Sequence, residues 1–319
     1  MRQNSNHYCA STATACQGRS FILAVPPLLS ALLFALVFAL VFIGMTSPYG
    51  HASSNDGHDT APRIISTNVC IDNILINIFG TEHVVAVSNL VDDALYSQVK
   101  FLDPSIERIS FDAEEILRLK PSLVLISNFS NHRVVNMLKD SGVNMVTVPF
   151  ATKLSDISKN IQIIGTALKQ HAKAKIAADA IDQHIGETMP DAGVFALHVT
   201  SNNYIYGKNS LIGDAIRYAG LSASDQRGFG ANPGFYNSER IIASNPDYLI
   251  IDDINAGAGD TVASDGVNSP NLRDDRYHPA LQAAYPAQQR IKIDPRLWSC
   301  AHQQTPQIID IMKQGVRKQ

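Results

Sequence analysis

Phosphate loops, nucleophile elbows and surplus basic charge are all missing from this chain. No Walker loop, no G-x-S-x-G and no strand-borne G-x-G-x-x-G occurs, so the usual signatures of nucleotide hydrolysis, serine hydrolysis and dinucleotide binding are absent. "GFGANPG" and "NAGAG" are glycine-rich, but neither joins a strand to a helix as a phosphate cradle must. The formal net charge of -3 offers no basic surplus for nucleic acid. The histidines at 83, 132, 171, 184, 198, 278 and 302 follow no zinc or haem spacing, so no protein-held metal and no intrinsic cofactor are expected. Tryptophan occurs once, as Trp298, and cysteine four times.

What is present begins with an export signal. Arg19 precedes an apolar run from Phe21 to Met45, followed by turn residues and the small pair Gly50 and Ala52. That order is the secretory pattern, with cleavage expected after Ala52. The run is also long enough to span a bilayer, so an uncleaved anchor is the competing reading. Cys9 and Cys16 precede the run, and neither can be a lipid-modified cysteine just after it. In the exported part only Cys70 and Cys300 remain. A disulfide between them and two small buried or pocket-lining thiols are both open.

Beyond a linker at 53–62, β-branched and aliphatic runs alternate with segments of helical spacing. "RIIST", "HVVAVS", "SLVLIS" and "VNMVTVP" read as strands, and "CIDNILINIFG", "AEEILRLK" and "HRVVNMLKDSG" as helices. This is an α/β lobe over 63–153. From 154 to 186 helical spacing runs about thirty residues without proline, which predicts a rod roughly 45 Å long, with a break at Gly165 as the alternative. A second α/β lobe follows over 187–319, with strands "VFALHVT", "DYLIID" and "RIKID". The expected fold is two Rossmann-like lobes with central sheets, joined by one long helix, with a ligand cleft between them.

One stretch is written twice. "FDAEEILRLKPSLVLI" at 111–126 and "YNSERIIASNPDYLII" at 236–251 both run aromatic, polar, small, Glu, an apolar-spaced segment, Pro, then an aliphatic run. Glu114 and Glu239 hold the same place. Each can simply meet the positive end of a helix dipole behind a capping Asp112 or Asn237, with Glu115 completing a capping box.

"RIISTNVCIDNILINIFG", the doubled stretch, the long helix and "HPAL…DPRLWSCAHQQTPQIIDIM" together resemble the periplasmic binding proteins for iron siderophores, haem and vitamin B12, over about 63–316. The resemblance implies two lobes, a small hinge motion, and delivery of cargo to an ABC permease dimer at the inner membrane. It implies that Glu114 and Glu239 dock on permease arginines. It also implies a periplasmic monomer that binds a metal chelate without catalysis and needs no nucleic acid.

In open α/β lobes ligands sit beyond the carboxyl ends of the strands. Those ends nominate Asn68, Cys70, Asn89, Asn128, Phe129 and Phe150 in the first lobe. In the second they nominate Tyr204, Tyr206, Arg227, Phe229, Tyr236, Asp252, Arg296, Trp298 and His302. The aromatic, polar loops "SNNYIYG" and "DQRGFGANPGFY" suit a large ligand with flat apolar parts. Arg227 and Arg296 could grip carboxylates, although solvated arginines are commoner. Trp298 is open between core and contact. His302 and Tyr206 are the axial-ligand candidates if the cargo is haem or cobalamin. A ferric siderophore or corrinoid is the expected cargo, with haem the alternative. A tetrapyrrole chelatase on the same two-lobe plan is the enzyme alternative.

Overall fold

Short β-branched runs set up two parallel sheets. The structure, a computed structural model, describes residues 61–200, 204–223, 234–253 and 278–317, within a unit running from Thr60 to Gln319. The apolar run at 21–45, the loop at 254–269, Arg227 and Phe229 lie outside the described residues. Among the described residues no helix is long and apolar enough to cross a membrane.

The first lobe contains β1 (Ile64–Ser66), α1 (Val69–Ile74), β2 (Val84–Ser88), β3 (Glu107–Ile109), α2 (Ala113–Arg118), β4 (Leu123–Ser127), α3 (His132–Asp140) and β5 (Met145–Val148). A π-helical turn over Leu75–Phe79 prolongs α1, and Gly80 at φ 90° stops it. The five strands pair in the order β3-β2-β1-β4-β5, all parallel. Strand order reverses between β1 and β4, the place where such sheets open a crevice at their carboxyl ends.

Two helices follow, α4 (Ser155–Ala167) and α5 (His171–Ile185), and then the second lobe. It holds β6 (Ala196–Val199), β7 (Tyr204–Ile205), α6 (Leu211–Tyr218), β8 (Gly234–Phe235), α7 (Ser238–Ser244), β9 (Tyr248–Asp252), α8 (Pro279–Ala284), β10 (Arg290–Ile293), α9 (Arg296–Ser299) and α10 (Gln307–Arg317). Its sheet is parallel, β10-β9-β6, and β7 pairs antiparallel with β8 beside it.

The period of two along each central strand divides the core. In β4, Leu123 and Leu125 face a cluster that also takes Ile250 and Ile291 of the second sheet. Their neighbours Val124 and Ile126 face a separate cluster with Ile116 and Leu138. In β9, Tyr248 and Ile250 join the shared cluster, while Leu249 and Ile251 face Ile241 and Leu281. Side chains buried on both faces explain why these strands read as unbroken aliphatic runs. Burying each is worth roughly 1.5–3 kcal/mol over leaving it exposed.

The expected single rod is corrected. α4 and α5 form an antiparallel hairpin, not one helix. Ser158 Oγ donates to Asp182 Oδ1 at 2.7 Å. Gly165 lies so close to Ala174 that an added Cβ would sit 2.2 Å from the Ala174 Cβ. The turn is a Schellman cap: the Lys169 N–H bonds Thr166 O at 3.1 Å and the Gln170 N–H bonds Gly165 O at 2.7 Å. Lys169, at φ 57°, takes the left-handed position that glycine usually fills. The alternative break at Gly165 is therefore also misplaced, since that glycine serves close packing. α4 touches both lobes, Asn160 Nδ2 donating to Pro149 O at 2.7 Å and the Leu154 N–H just before the helix donating to Asp214 Oδ2 at 2.9 Å, and α5 runs from one lobe to the other. Lys173 near its start bonds Phe79 O at 3.3 Å, and His184 near its end meets Asp310 of α10 at 2.7 Å. Its fifteen residues span about 22 Å, half the expected rod.

The doubled stretch occupies the same station in both lobes. α2 and α7 each cover the outer face of their sheet and lead into a buried strand. Asp112 accepts the Glu114 and Glu115 N–H groups at 2.9 and 3.2 Å, and Asn237 accepts that of Arg240 at 3.0 Å. Glu114 and Glu239 are each the second helical residue, and both are exposed. Even the exits agree: Lys120 and Asn245, each before a proline, are left-handed at φ 47° and 49°. One detail departs from the expected capping box. The Glu115 carboxylate accepts the Ser110 N–H at 2.9 Å rather than that of Asp112, whose N–H is already bonded to Ser110 O.

Candidate functional site

The carboxyl ends of the two sheets face a cavity of about 610 Å³. The first lobe supplies Leu95, Tyr96, Phe150 and Thr152 to its wall. The second supplies Tyr204, Tyr206, the start of α6, Asp252 and Trp298.

Its apolar character comes from rings set edge to face. Trp298 packs on Tyr206 with centroids 5.1 Å apart, Tyr206 on Tyr204 at 4.9 Å, and Tyr204 on Phe235 at 4.9 Å. This series follows from local sequence. β7 is only two residues long, so Tyr204 and Tyr206 project to the same side of a brief extended segment. Across the cleft Phe150 packs on Phe129 at 5.6 Å, and its N–H donates to Asn128 Oδ1 at 2.8 Å.

At the base lies a buried polar triangle. Asp252, the last residue of β9, accepts the Trp298 indole N–H at 2.8 Å and the His198 Nε2–H at 3.1 Å, both on Oδ1. The His198 ring packs against Trp298 at 4.6 Å. Burial, followed by the proximity of Tyr204, Asp252 and Tyr96, raises the Tyr206 phenol above its ordinary value. The cavity wall thus presents phenols and hydroxyls around the Asp252 carboxylate, whose Oδ1 is already held.

The nominated residues separate into those on this wall and those elsewhere. Phe150, Tyr204, Tyr206, Asp252 and Trp298 line it. Asn68 caps α1 and, with Cys70, borders a crevice of about 20 Å³ beside Phe150. Asn128 acts behind Phe150. Asn89 is exposed and meets Ser110 at 3.5 Å, away from the cavity. Phe129 is 75% exposed at the rim. Tyr236 lies under the Arg240 guanidinium at 5.2 Å, against the outer core. Arg296 is off the wall and ion-paired with Asp294 at 2.6 Å.

His302 is corrected as an axial-ligand candidate. It is fully buried, its Nε2–H donates to Arg296 O at 2.8 Å, and its Nδ1 accepts the Gln304 N–H at 3.1 Å. Both ring nitrogens are used inside the fold, and burial pushes its pKa down to about 4. Among the described residues no group of three or more His, Cys, Asp or Glu could hold a metal ion. Cys70 and Cys300 are joined as a disulfide, with Cα atoms 4.8 Å apart.

The wall residues that sequence reasoning missed are chiefly Leu95, Tyr96, Thr152 and Asn209–Ile212. Tyr96 sits in the long connection between β2 and β3, and such a connection is itself a sign of function. The fully buried Asn73 fixes this connection, donating to Tyr96 O at 3.0 Å and accepting the Gln98 N–H at 2.7 Å.

Comparison with known proteins agrees with this geometry. A family model described as "Periplasmic binding protein" matches residues 64–274. A curated relative, the uncharacterized ABC transporter substrate-binding lipoprotein YvrC of Bacillus subtilis (strain 168), is 25% identical over 177 residues. The match takes in 51% of this chain and spans only 55% of that relative's length. Among solved structures, a possible iron-binding (periplasmic solute-binding) protein from Staphylococcus epidermidis ATCC 12228 aligns with TM-score 0.60 and 21% identity. That alignment covers 81% of this chain and 99% of that one. The periplasmic heme-binding protein RhuT from Roseiflexus sp. RS-1, in apo form, aligns with TM-score 0.59 and 20% identity, covering 81% and 100%. The family and these neighbours bind solutes and are not enzymes. A two-lobe α/β chain matched by that family model over 64–274, from β1 to beyond β9, belongs to the periplasmic binding protein family.

Proposed function

We propose that this protein is the periplasmic solute-binding component of an ABC importer, capturing a ferric siderophore or corrinoid and handing it to a permease dimer at the inner membrane. The observation that carries this reading is the series of edge-to-face rings, Trp298, Tyr206 and Tyr204, on one wall of an interlobe cavity of about 610 Å³. Edge-to-face rings interspersed with hydroxyls suit a ligand with flat apolar parts and a polar rim. A preformed chelate brings its metal already coordinated and asks no ligand of the protein. Export and monomeric action belong to the same reading.

Glu114 and Glu239 are the proposed permease contacts. The matched helix caps, exposures and left-handed exits support this reading, because a receptor made of two like subunits meets like charge at each. Glu114→Ala combined with Glu239→Ala is expected to abolish uptake while cargo affinity stays within about threefold. A collapse of affinity would assign these residues to the fold instead.

Haem is the second reading, favoured by the Tyr206 phenol in the wall. That phenol is protonated at neutral pH, so ligation to iron would release a proton. The deciding experiment titrates Trp298 fluorescence of the full-length chain in detergent with haemin, cyanocobalamin and a panel of ferric siderophores, checked by calorimetry in two buffers of different ionisation heat. Sub-micromolar binding of one class names the cargo, and a buffer-dependent heat with haemin assigns Tyr206 to the iron. Silence from all three classes overturns the cargo proposal.

A further inference from the structure

Besides the core cluster common to both sheets and the Leu154 N–H bond to Asp214 Oδ2 at 2.9 Å, two links far apart in sequence join the lobes of this protein. The first is α5, fixed to the first lobe by Lys173 and to α10 by His184. The second is the Cys70–Cys300 disulfide, which joins residues 230 apart in the chain. Cys70 lies in the first turn of α1, at the carboxyl end of β1. Cys300 ends α9, one residue after Ser299 and two after Trp298, both on the cavity wall. The bond therefore crosses from one lobe to the other at the edge of the cleft. Around it the seam is closed: the adjoining crevice measures about 20 Å³ and is bounded by Ile71, Ile74 and Phe150 on one side and Ala301 on the other.

We infer that the Cys70–Cys300 bond is a mechanical hinge pin that limits how the cleft opens. Disulfide-linked Cα atoms stay within about 4.4–6.8 Å of each other, so from the 4.8 Å seen here the lobes can part by only roughly 2 Å at that point. With the lobes already packed through the shared cluster, the bond adds a second fixed edge to that of α5, and the motion left easiest is rotation about the line through both. Sliding and twisting of one lobe across the other are blocked. The walls away from the pin, Leu95–Tyr96 on one side and Asn209–Ile212 on the other, are the parts left to swing. The inference concerns the motion of the lobes and holds whatever the cargo.

Hydrogen–deuterium exchange followed by mass spectrometry tests this on the full-length chain in detergent, without cargo. Three samples are compared: the oxidised protein, the same protein reduced with dithiothreitol, and Cys70→Ala/Cys300→Ala. In the reduction the dithiol gives up two electrons and two protons, ending as its own cyclic disulfide and leaving two thiols. Cys9 and Cys16 are kept in every sample, so an effect common to reduction and to the double variant belongs to the pin. Without the bond, peptides covering 92–102 and 206–214 are expected to exchange about tenfold faster, while β1, β4 and β9 keep their protection. Unchanged exchange in the two cleft peptides overturns the inference. So does a uniform rise across the buried strands, which would make the bond a contributor to global stability alone. If the double variant does not fold, the reduced wild-type protein decides by the same two readings.

Discussion

Trp298 and His198 donate to the same oxygen of Asp252, at 2.8 and 3.1 Å, so one carboxylate at the end of β9 orients both rings at the base of the cavity. The three residues come from β6, β9 and α9, and the hydrogen bonds hold those elements in register. Removing the acceptor leaves a buried donor on His198 and a half-buried one on Trp298 without this partner, each costing on the order of 1–3 kcal/mol. Asp252→Ala is therefore expected to lower unfolding free energy by about 3 kcal/mol in denaturant titration and to shift Trp298 emission. Asp252→Asn keeps an acceptor oxygen and should lose about 1 kcal/mol with emission nearly unchanged.

Asn73 acts on the opposite wall through backbone. It holds Tyr96 O and the Gln98 N–H together, and so sets where Tyr96 meets the cavity. Asn73→Ala is expected to weaken binding of the chelate that quenches Trp298 by about tenfold, one lost pair of positioning bonds. A double-mutant cycle separates positioning from general destabilisation. In a Tyr96→Ala background the further effect of Asn73→Ala on affinity should nearly vanish. An undiminished effect would mean that Asn73 serves the fold and not Tyr96.

The helix hairpin offers a steric test. Gly165 exists because Ala174 leaves no room for a side chain. Gly165→Ala should force α4 and α5 apart and cost about 3 kcal/mol, at the upper end for overpacking by one methyl. Adding Ala174→Gly should recover most of that loss, read as the return of the thermal midpoint.

Acid sensitivity has a definable part from His302. Its folded-state pKa of about 4 lies below the ordinary imidazole value near 6.5, so the unfolded chain binds the extra proton first. The stability this contributes is complete above about pH 6.5 and is lost as pH falls toward 4, amounting to about 3 kcal/mol. Asp72 has the opposite sign, since burial raises its carboxyl well above the usual range and acid favours its folded form. Comparing the pH profile of His302→Gln with that of wild type cancels Asp72. The variant should be less stable at pH 7 and flatter between pH 6.5 and 4. Parallel profiles would show that His302 does not titrate in this interval.

Much of this architecture could be read from residue order. β4 and β9 are aliphatic on both faces and announce themselves, and Asp112, Asn237 and the two prolines bracket α2 and α7. The hairpin turn could not be read, because its left-handed residue is Lys169 where glycine would have marked the cap. β3, at three residues on a sheet edge, has too short a pattern to register. On the cleft, the loop aromatics Tyr204, Tyr206 and Trp298 were visible as composition. Tyr96 was not, since its place depends on the distant side chain of Asn73. His302 misled for a related reason. Its loop position suggested access, yet the bonds to Arg296 and Gln304 turn the ring inward.

The alternation along β4 and β9 also bears on how this molecule comes apart. Leu125 and Ile250 belong to one cluster common to both sheets, whereas Val124 and Leu249 each serve a single lobe. Truncating Leu125 therefore lowers the melting of both halves together, in one calorimetric peak. Truncating Val124 loosens its own half first and splits the endotherm. Cooperativity between the halves resides in every second side chain of two strands.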